Sequence, residues 1–171
     1  STDEETKWYL IQFMNGGNAL TAETDGANIT TSAGKGSDAQ LWKITGSKTQ
    51  GYVLTNKKGY TLSVASSEKN QMVRAQSSAS GSYKFAINTS TASGYTDGYE
   101  IQPRGNTAIS MNLWGGPAEN RGVGLWDKGD KNNAVKFVDA EAFERLGKIA
   151  IIPYPSSLEV AEGNLPLSSL S

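Results

Sequence analysis

One pattern is written three times along this chain. "YLIQF" from Tyr9, "YVLTN" from Tyr52 and "YEIQP" from Tyr99 begin the copies, 43 and 47 residues apart. A second apolar marker follows in each: Leu20 in "ALT", Leu62 in "TLS" and Ile109 in "AIS", spaced 42 and 47. Ile29, Met72 and Val123 form a third series, and Trp42, Phe85 and Phe137 close the copies on an aromatic. Such a repeat limits the fold sharply. A unit of roughly 45 residues made of short segments cannot bury its apolar face alone, so the copies must close on one another around a shared core.

Within each copy the short segments alternate apolar and polar residues, which is the period of a strand. Gly, Asn, Asp and Ser separate them, and the 19 Gly suit a fold with many tight turns. The reading is an all-β fold of three pseudo-repeats and about twelve strands, closed into a barrel without open edges. At 171 residues the chain is one domain, or one domain and a fragment of another. The polar start "STDEET" reads as the processed beginning of an exported protein. No apolar run is long enough for a membrane helix.

Charge and missing residue types narrow the chemistry. Sixteen basic and 17 acidic residues give a net charge of −1 with no basic stripe, which argues against nucleic acid. His and Cys are both absent. That excludes Ser-His-Asp and Cys-His catalysis, disulfides and nearly all zinc sites. "DKGDKNN" (Asp127 to Asn133) is rich in oxygen, but it lacks the register and closing Glu of a calcium loop. The acidic residues lie singly on turns, so no glycosidase carboxylate pair is expected. No cofactor or metal is expected either. Asn28-Ile29-Thr30 and Asn88-Thr89-Ser90 have the form of glycosylation sequons, which short polar turns also produce by chance.

Three repeats of this length, each with an apolar second strand and a closing aromatic, resemble the β-trefoil of ricin-type lectins over residues 7–138. Gln40-Leu41-Trp42 matches that family's Q-x-W signature, with Tyr83-Lys84-Phe85 and Val135-Lys136-Phe137 as its altered forms. The family carries a sugar-binding Asp just after the Leu of the second strand; those positions read Thr21, Ser63 and Ser110 here. Its stacking aromatic ends the third strand. That position reads about Ser32, about Ala75 and Trp126. The resemblance therefore implies one carbohydrate site, on the third copy. Its expected residues are Trp126, Asp127, Asn112, Asn132, Asn133, Ser110 and Trp114. The chemistry suits a sugar: an indole covers the C–H face of a pyranose, and amides and carboxylates pair with its hydroxyls. Two other readings stay open. One is a structural trefoil with eroded sugar sites, favoured by the missing Asp. The other is a protein-binding, inhibitor-like trefoil that would use residues 112–122.

The texture changes after Val138. "DAEAFERLGK" predicts a short linker helix over 139–148, with Gly147 as its stop. Residues 149–171 form a strand-containing extension. The pattern Ile151, Ile152, Pro153, Pro155, Leu158 and Gly163 resembles the opening of the small domain that precedes the catalytic barrel of family 20 glycoside hydrolases. The resemblance implies a non-catalytic carbohydrate-binding module of an exported bacterial β-N-acetylhexosaminidase. The expected partner is a glycan, with no nucleic acid and no membrane span. The chain is expected to be a monomer whose tail docks on its own trefoil or on a neighbouring molecule.

Overall fold

A computed structural model describes residues 5–148 and 159–160. Each copy of the pattern makes four strands. The first has β1 (Tyr9–Phe13), β2 (Ala19–Thr21), β3 (Thr30–Ser32) and β4 (Trp42–Ser47). The second has β5 (Gly51–Asn56), β6 (Thr61–Ser63), β7 (Arg74–Gln76) and β8 (Phe85–Thr89). The third has β9 (Tyr99–Pro103), β10 (Ile109–Leu113), β11 (Val123–Asp127) and β12 (Val135–Asp139). The outer strands of the copies pair in a closed ring, β1–β4–β5–β8–β9–β12 and back to β1. The inner two of each copy form hairpins β2–β3, β6–β7 and β10–β11. Ile29 N–H donates to Val73 O and Val73 N–H to Val123 O, both at 2.8 Å, and Asn120 N–H donates to Thr31 O at 2.7 Å. These bonds tie the hairpins into one triangular cap over the barrel. The fold is a β-trefoil.

Leu20, Leu62, Ile109, Trp42, Phe85 and Phe137 are buried and share one apolar core, as the repeat requires. The internal register departs from the expected one in three places. Val73, not Met72, is the counterpart of Ile29 and Val123; it is fully buried, and Met72 is only half-buried. Counting from those positions makes Thr31, Ala75 and Leu125 equivalent. Their cross-strand partners are Leu20, Leu62 and Met111. Met111 therefore takes the place expected of Ile109, and Asn112, rather than Ser110, stands where Thr21 and Ser63 do. The stacking position is likewise Ser32, Gln76 and Trp126, one residue beyond Ala75 in the second copy. Last, Tyr99 pairs with Val135 as Tyr9 pairs with Trp42 and Tyr52 with Phe85. The third form of the Q-x-W signature is thus Asn133-Ala134-Val135, two residues ahead of the expected one.

The helix α1 (Ala140–Lys148) follows β12 directly. Asp139 caps it: its Oδ1 accepts from the amides of Glu141 at 2.9 Å and Ala142 at 3.2 Å, satisfying two donors of the first turn. The helix runs through Gly147 rather than stopping there. Phe143 and Ala140 pack on a second apolar cluster of Leu10, Ala19, Leu41 and Val138, beside Trp8. Glu159–Val160 (β13) pairs antiparallel with β12. Ile151, Ile152, Pro153, Pro155, Leu158 and Gly163, which carry the hydrolase resemblance, lie outside the described residues.

Candidate functional site

On the third copy, β10, β11 and the 3-10 turn at Lys131–Asn133 frame an open concavity of about 210 Å³. Asn112, Trp114, Gly115, Trp126, Asp130 and Asn132 line it. Trp126 is half-buried at the end of β11. The ring of Trp114 meets it edge-on, with centroids 5.7 Å apart and planes at 83°. This arrangement needs Gly124. A Cβ there would stand 2.7 Å from Trp114 Cε3 and 2.9 Å from Met72 Sδ, so only glycine lets the indole cross the strand beside Trp126. The two indoles together form an apolar wall.

The polar groups are oriented by a buried carboxylate. Glu100, on β9, is 1% exposed. It accepts from Ser110 Oγ at 2.7 Å and from Asn133 Nδ2, Gly129 N and Thr91 N at 3.1 Å each. A carboxylate of this kind accepts only, so the amide nitrogen of Asn133 must face it. The same nitrogen donates to Asp127 O at 2.8 Å. Asn133 Oδ1 is thereby turned to Asn112, whose Nδ2 donates to it at 2.8 Å. Asn112 lines the concavity, and its Oδ1 accepts no hydrogen bond among the described residues. Asp130, which also lines the concavity, accepts on Oδ1 from the amide of Asn132 at 2.8 Å and from Asn112 Nδ2 at 3.5 Å. Asn132 Oδ1 accepts from Asn15 Nδ2 of the first copy at 2.7 Å, so its own Nδ2 is the donor on offer. Two acceptors and one donor beside an aromatic wall are groups that can engage several hydroxyls at once.

Among the expected residues, Trp126, Trp114, Asn112 and Asn132 come together around this concavity. Asn133 lies behind it, fully buried, and orients Asn112. Ser110 is also fully buried, bonded to Glu100 and Gln102 beneath the hairpin. The Asp127 side chain is not among those that line the concavity; it pairs with Lys69 at 3.0 Å. Asp130, Glu100 and Asn15 were not anticipated. Glu100 left one sequence signal: it stands where the other copies carry Leu10 and Val53, a position that expects burial. Residues 112–122 are not a free loop. Asn18 Nδ2 donates to Ala118 O, Ala33 N to Glu119 Oε1, and Thr31 Oγ1 to Arg121 O, all onto the first copy. Among the described residues no cluster of acidic side chains could hold a metal, and no helix is long and apolar enough to cross a membrane.

The fold has solved relatives. The Rhizoctonia solani agglutinin superposes with a TM-score of 0.67 at 20% identity, over 80% of this chain and 97% of that one. A ricin B-like lectin of Macrolepiota procera, in complex with lactose, gives 0.64 at 14%, over 81% and 98%. An exo-β-1,3-galactanase from Clostridium thermocellum gives 0.66 at 21%, over 80% of this chain but 31% of that one. These structural neighbours are ricin B-like lectin trefoils and a glycosidase in which the matching part is a minority of the chain. No protein-family model and no curated protein matches the sequence.

Proposed function

We propose that this trefoil is a non-catalytic carbohydrate-binding module with one weak glycan site, on the third copy. The observation that carries the reading is the single concavity in which Trp126 and Trp114 form an apolar wall beside Asn112, Asp130 and Asn132. The first and second copies have Ser32 and Gln76 at the platform position, so neither carries an aromatic there. A shallow site of this size binds with about −3 to −5 kcal/mol, in the millimolar range. Tethering to an enzyme that works on the same polymer would make such affinity sufficient. The lectin neighbours support sugar as the ligand class, and the Ile151 to Gly163 pattern supports a β-N-acetylhexosaminidase as the exported parent. The test is titration of lactose, N-acetylgalactosamine and N-acetylglucosamine, read by tryptophan fluorescence. Trp126→Ala should weaken the response at least tenfold. No response at tens of millimolar, or an equal response in Trp126→Ala, would leave the structural-spacer reading in its place.

A further inference from the structure

β11 has two edges, and the chain treats them differently. One edge pairs with β10, through Ser110↔Trp126 and Asn112↔Gly124, and the concavity opens on that side. Along the other edge runs the β6–β7 loop of the second copy. Asn70 N–H donates to Leu125 O at 2.8 Å, and Leu125 N–H donates to Gln71 O at 2.9 Å. Asn70 takes a left-handed backbone (φ 76°), which turns the loop beside the strand. Lys69, just before it, sits with Nζ 4.1 Å from the centroid of the Trp126 ring. The same Nζ is 3.0 Å from Asp127 Oδ2. Lys69 is not among the residues that line the concavity.

We infer that Lys69, held by Asp127, is a positioning residue for Trp126: a brace from the second copy that presets the platform of the third. The inference rests on the carbohydrate reading for its purpose but not for its geometry. An indole at a strand end swings about two torsions, and a ligand that stacks on it must arrest that motion. An ammonium over one face attracts the ring quadrupole and holds the plane. Asp127 supplies the second anchor, so the ammonium cannot drift along the ring. On this inference the opposite face is the one that meets the ligand. This also accounts for Asp127, which the chain places next to the platform but outside the site.

The test uses the full chain and two readouts. The first is lactose titration of the wild type, Lys69→Met, Lys69→Arg and Asp127→Asn. Lys69→Met should raise Kd about threefold to fivefold, the size of a surface cation–π contact. Lys69→Arg, which keeps cation and anchor, should stay within twofold, and Asp127→Asn should fall between. The second is the order of the Trp126 indole N–H by NMR relaxation, assigned with Trp126→Phe. The indole should become more mobile in Lys69→Met and return in Lys69→Arg, with or without sugar. Tighter lactose binding in Lys69→Met would mean that the ammonium occupies the ligand face, and would overturn the brace. An unchanged indole order in Lys69→Met would overturn it too. If wild type binds none of the sugars, the carbohydrate reading fails while the indole order still decides the brace.

Discussion

Leu10 and Glu100 occupy the same place in the first and third copies, the second residue of the barrel strand that opens each. Around Leu10 the surroundings are apolar: Ala19, Leu41 and Val138 gather there, and Phe143 of the C-terminal helix packs over them beside Trp8. Phe143 also lies across the turn that follows β3, 3.6 Å from where a Cβ of Gly36 would be. Around Glu100 the surroundings are hydrogen bonds, to Ser110, Asn133, Gly129 and Thr91. The backbone frame is the same and the way it is held differs. An apolar contact needs only cover, and the helix supplies it. A buried carboxylate dictates which way each neighbouring amide points, and that direction reaches the surface through Asn133 and Asn112. The copy held by a polar network is the one whose concavity is proposed to take a glycan.

The largest break in this contrast is to give the third copy the first copy's residue. Glu100→Leu removes the acceptor of four donors, of which those of Ser110 and Asn133 are fully buried. The cost should be about 3–5 kcal/mol, seen as a lower urea midpoint, with loss of sugar binding as Asn133 loses its fixed orientation. A variant as stable as wild type would show that the network holds nothing. Glu100→Gln, which can still accept once, should cost less.

The seam between these copies is the β1–β12 ladder, and Tyr9 lies in it, edge-on to Phe137 at 6.5 Å. Burial first, and the nearby Asp139 carboxylate second, push its phenol up to about 12 from the usual 10. The folded state therefore keeps its proton to higher pH than the unfolded chain. The stability this gives is full below pH 10 and is lost as pH rises from 10 to 12, by roughly 2–3 kcal/mol. Urea midpoints measured across that window should fall steeply, and Tyr9→Phe should flatten the slope. An equal slope in both proteins would remove the seam as its source.

Removing the cover of the first copy comes next in size. Phe143→Ala should cost about 2 kcal/mol, less than a fully buried phenylalanine because the ring is half-buried. It should leave sugar affinity at the third copy unchanged. A fall in affinity would mean that the helix couples to the site across the barrel, and the two copies would not be independent.

The fold was legible because four markers recur in order, and turn residues and strand alternation supplied the rest. What was misread follows from the same alternation. Side chains repeat every two residues along a strand, so Ile109 and Met111, or Val135 and Phe137, look alike to any pattern of apolar positions. A slip of two keeps every side chain on its face and goes unseen. A slip of one, Met72 for Val73, changes face and is visible only once burial is known. Trp126 and Asn112 were legible as an aromatic and an amide near a turn. Glu100 showed only in comparison with Leu10 and Val53 at the same place in the other copies; taken alone, a polar residue in an alternating strand reads as solvent-facing. Its burial is made by the β10–β11 hairpin and the 3-10 turn, which come from later in the chain.

The smallest expected effect tests whether donor and acceptor directions at the rim matter at all. Asn15, from the first copy, donates Nδ2 to Asn132 Oδ1 at 2.7 Å and so leaves the Asn132 nitrogen facing the concavity. Asn15→Asp replaces that donor with an acceptor. The Asn132 amide should then rotate to satisfy it, turning its oxygen outward beside Asn112 Oδ1 and Asp130. The concavity would offer acceptors alone, so a sugar ring oxygen or acetamido carbonyl would lose its donor. Lactose and N-acetylgalactosamine should bind about threefold more weakly, near 0.6 kcal/mol, with the urea midpoint little changed because the rotated amide keeps the half-buried pair hydrogen-bonded. Asn15→Ala is the control: it frees the amide to turn either way and should weaken binding less. If Asn15→Asp and Asn15→Ala bind like wild type, the first copy contributes nothing to binding, and the orienting reach of the polar network ends at Asn112.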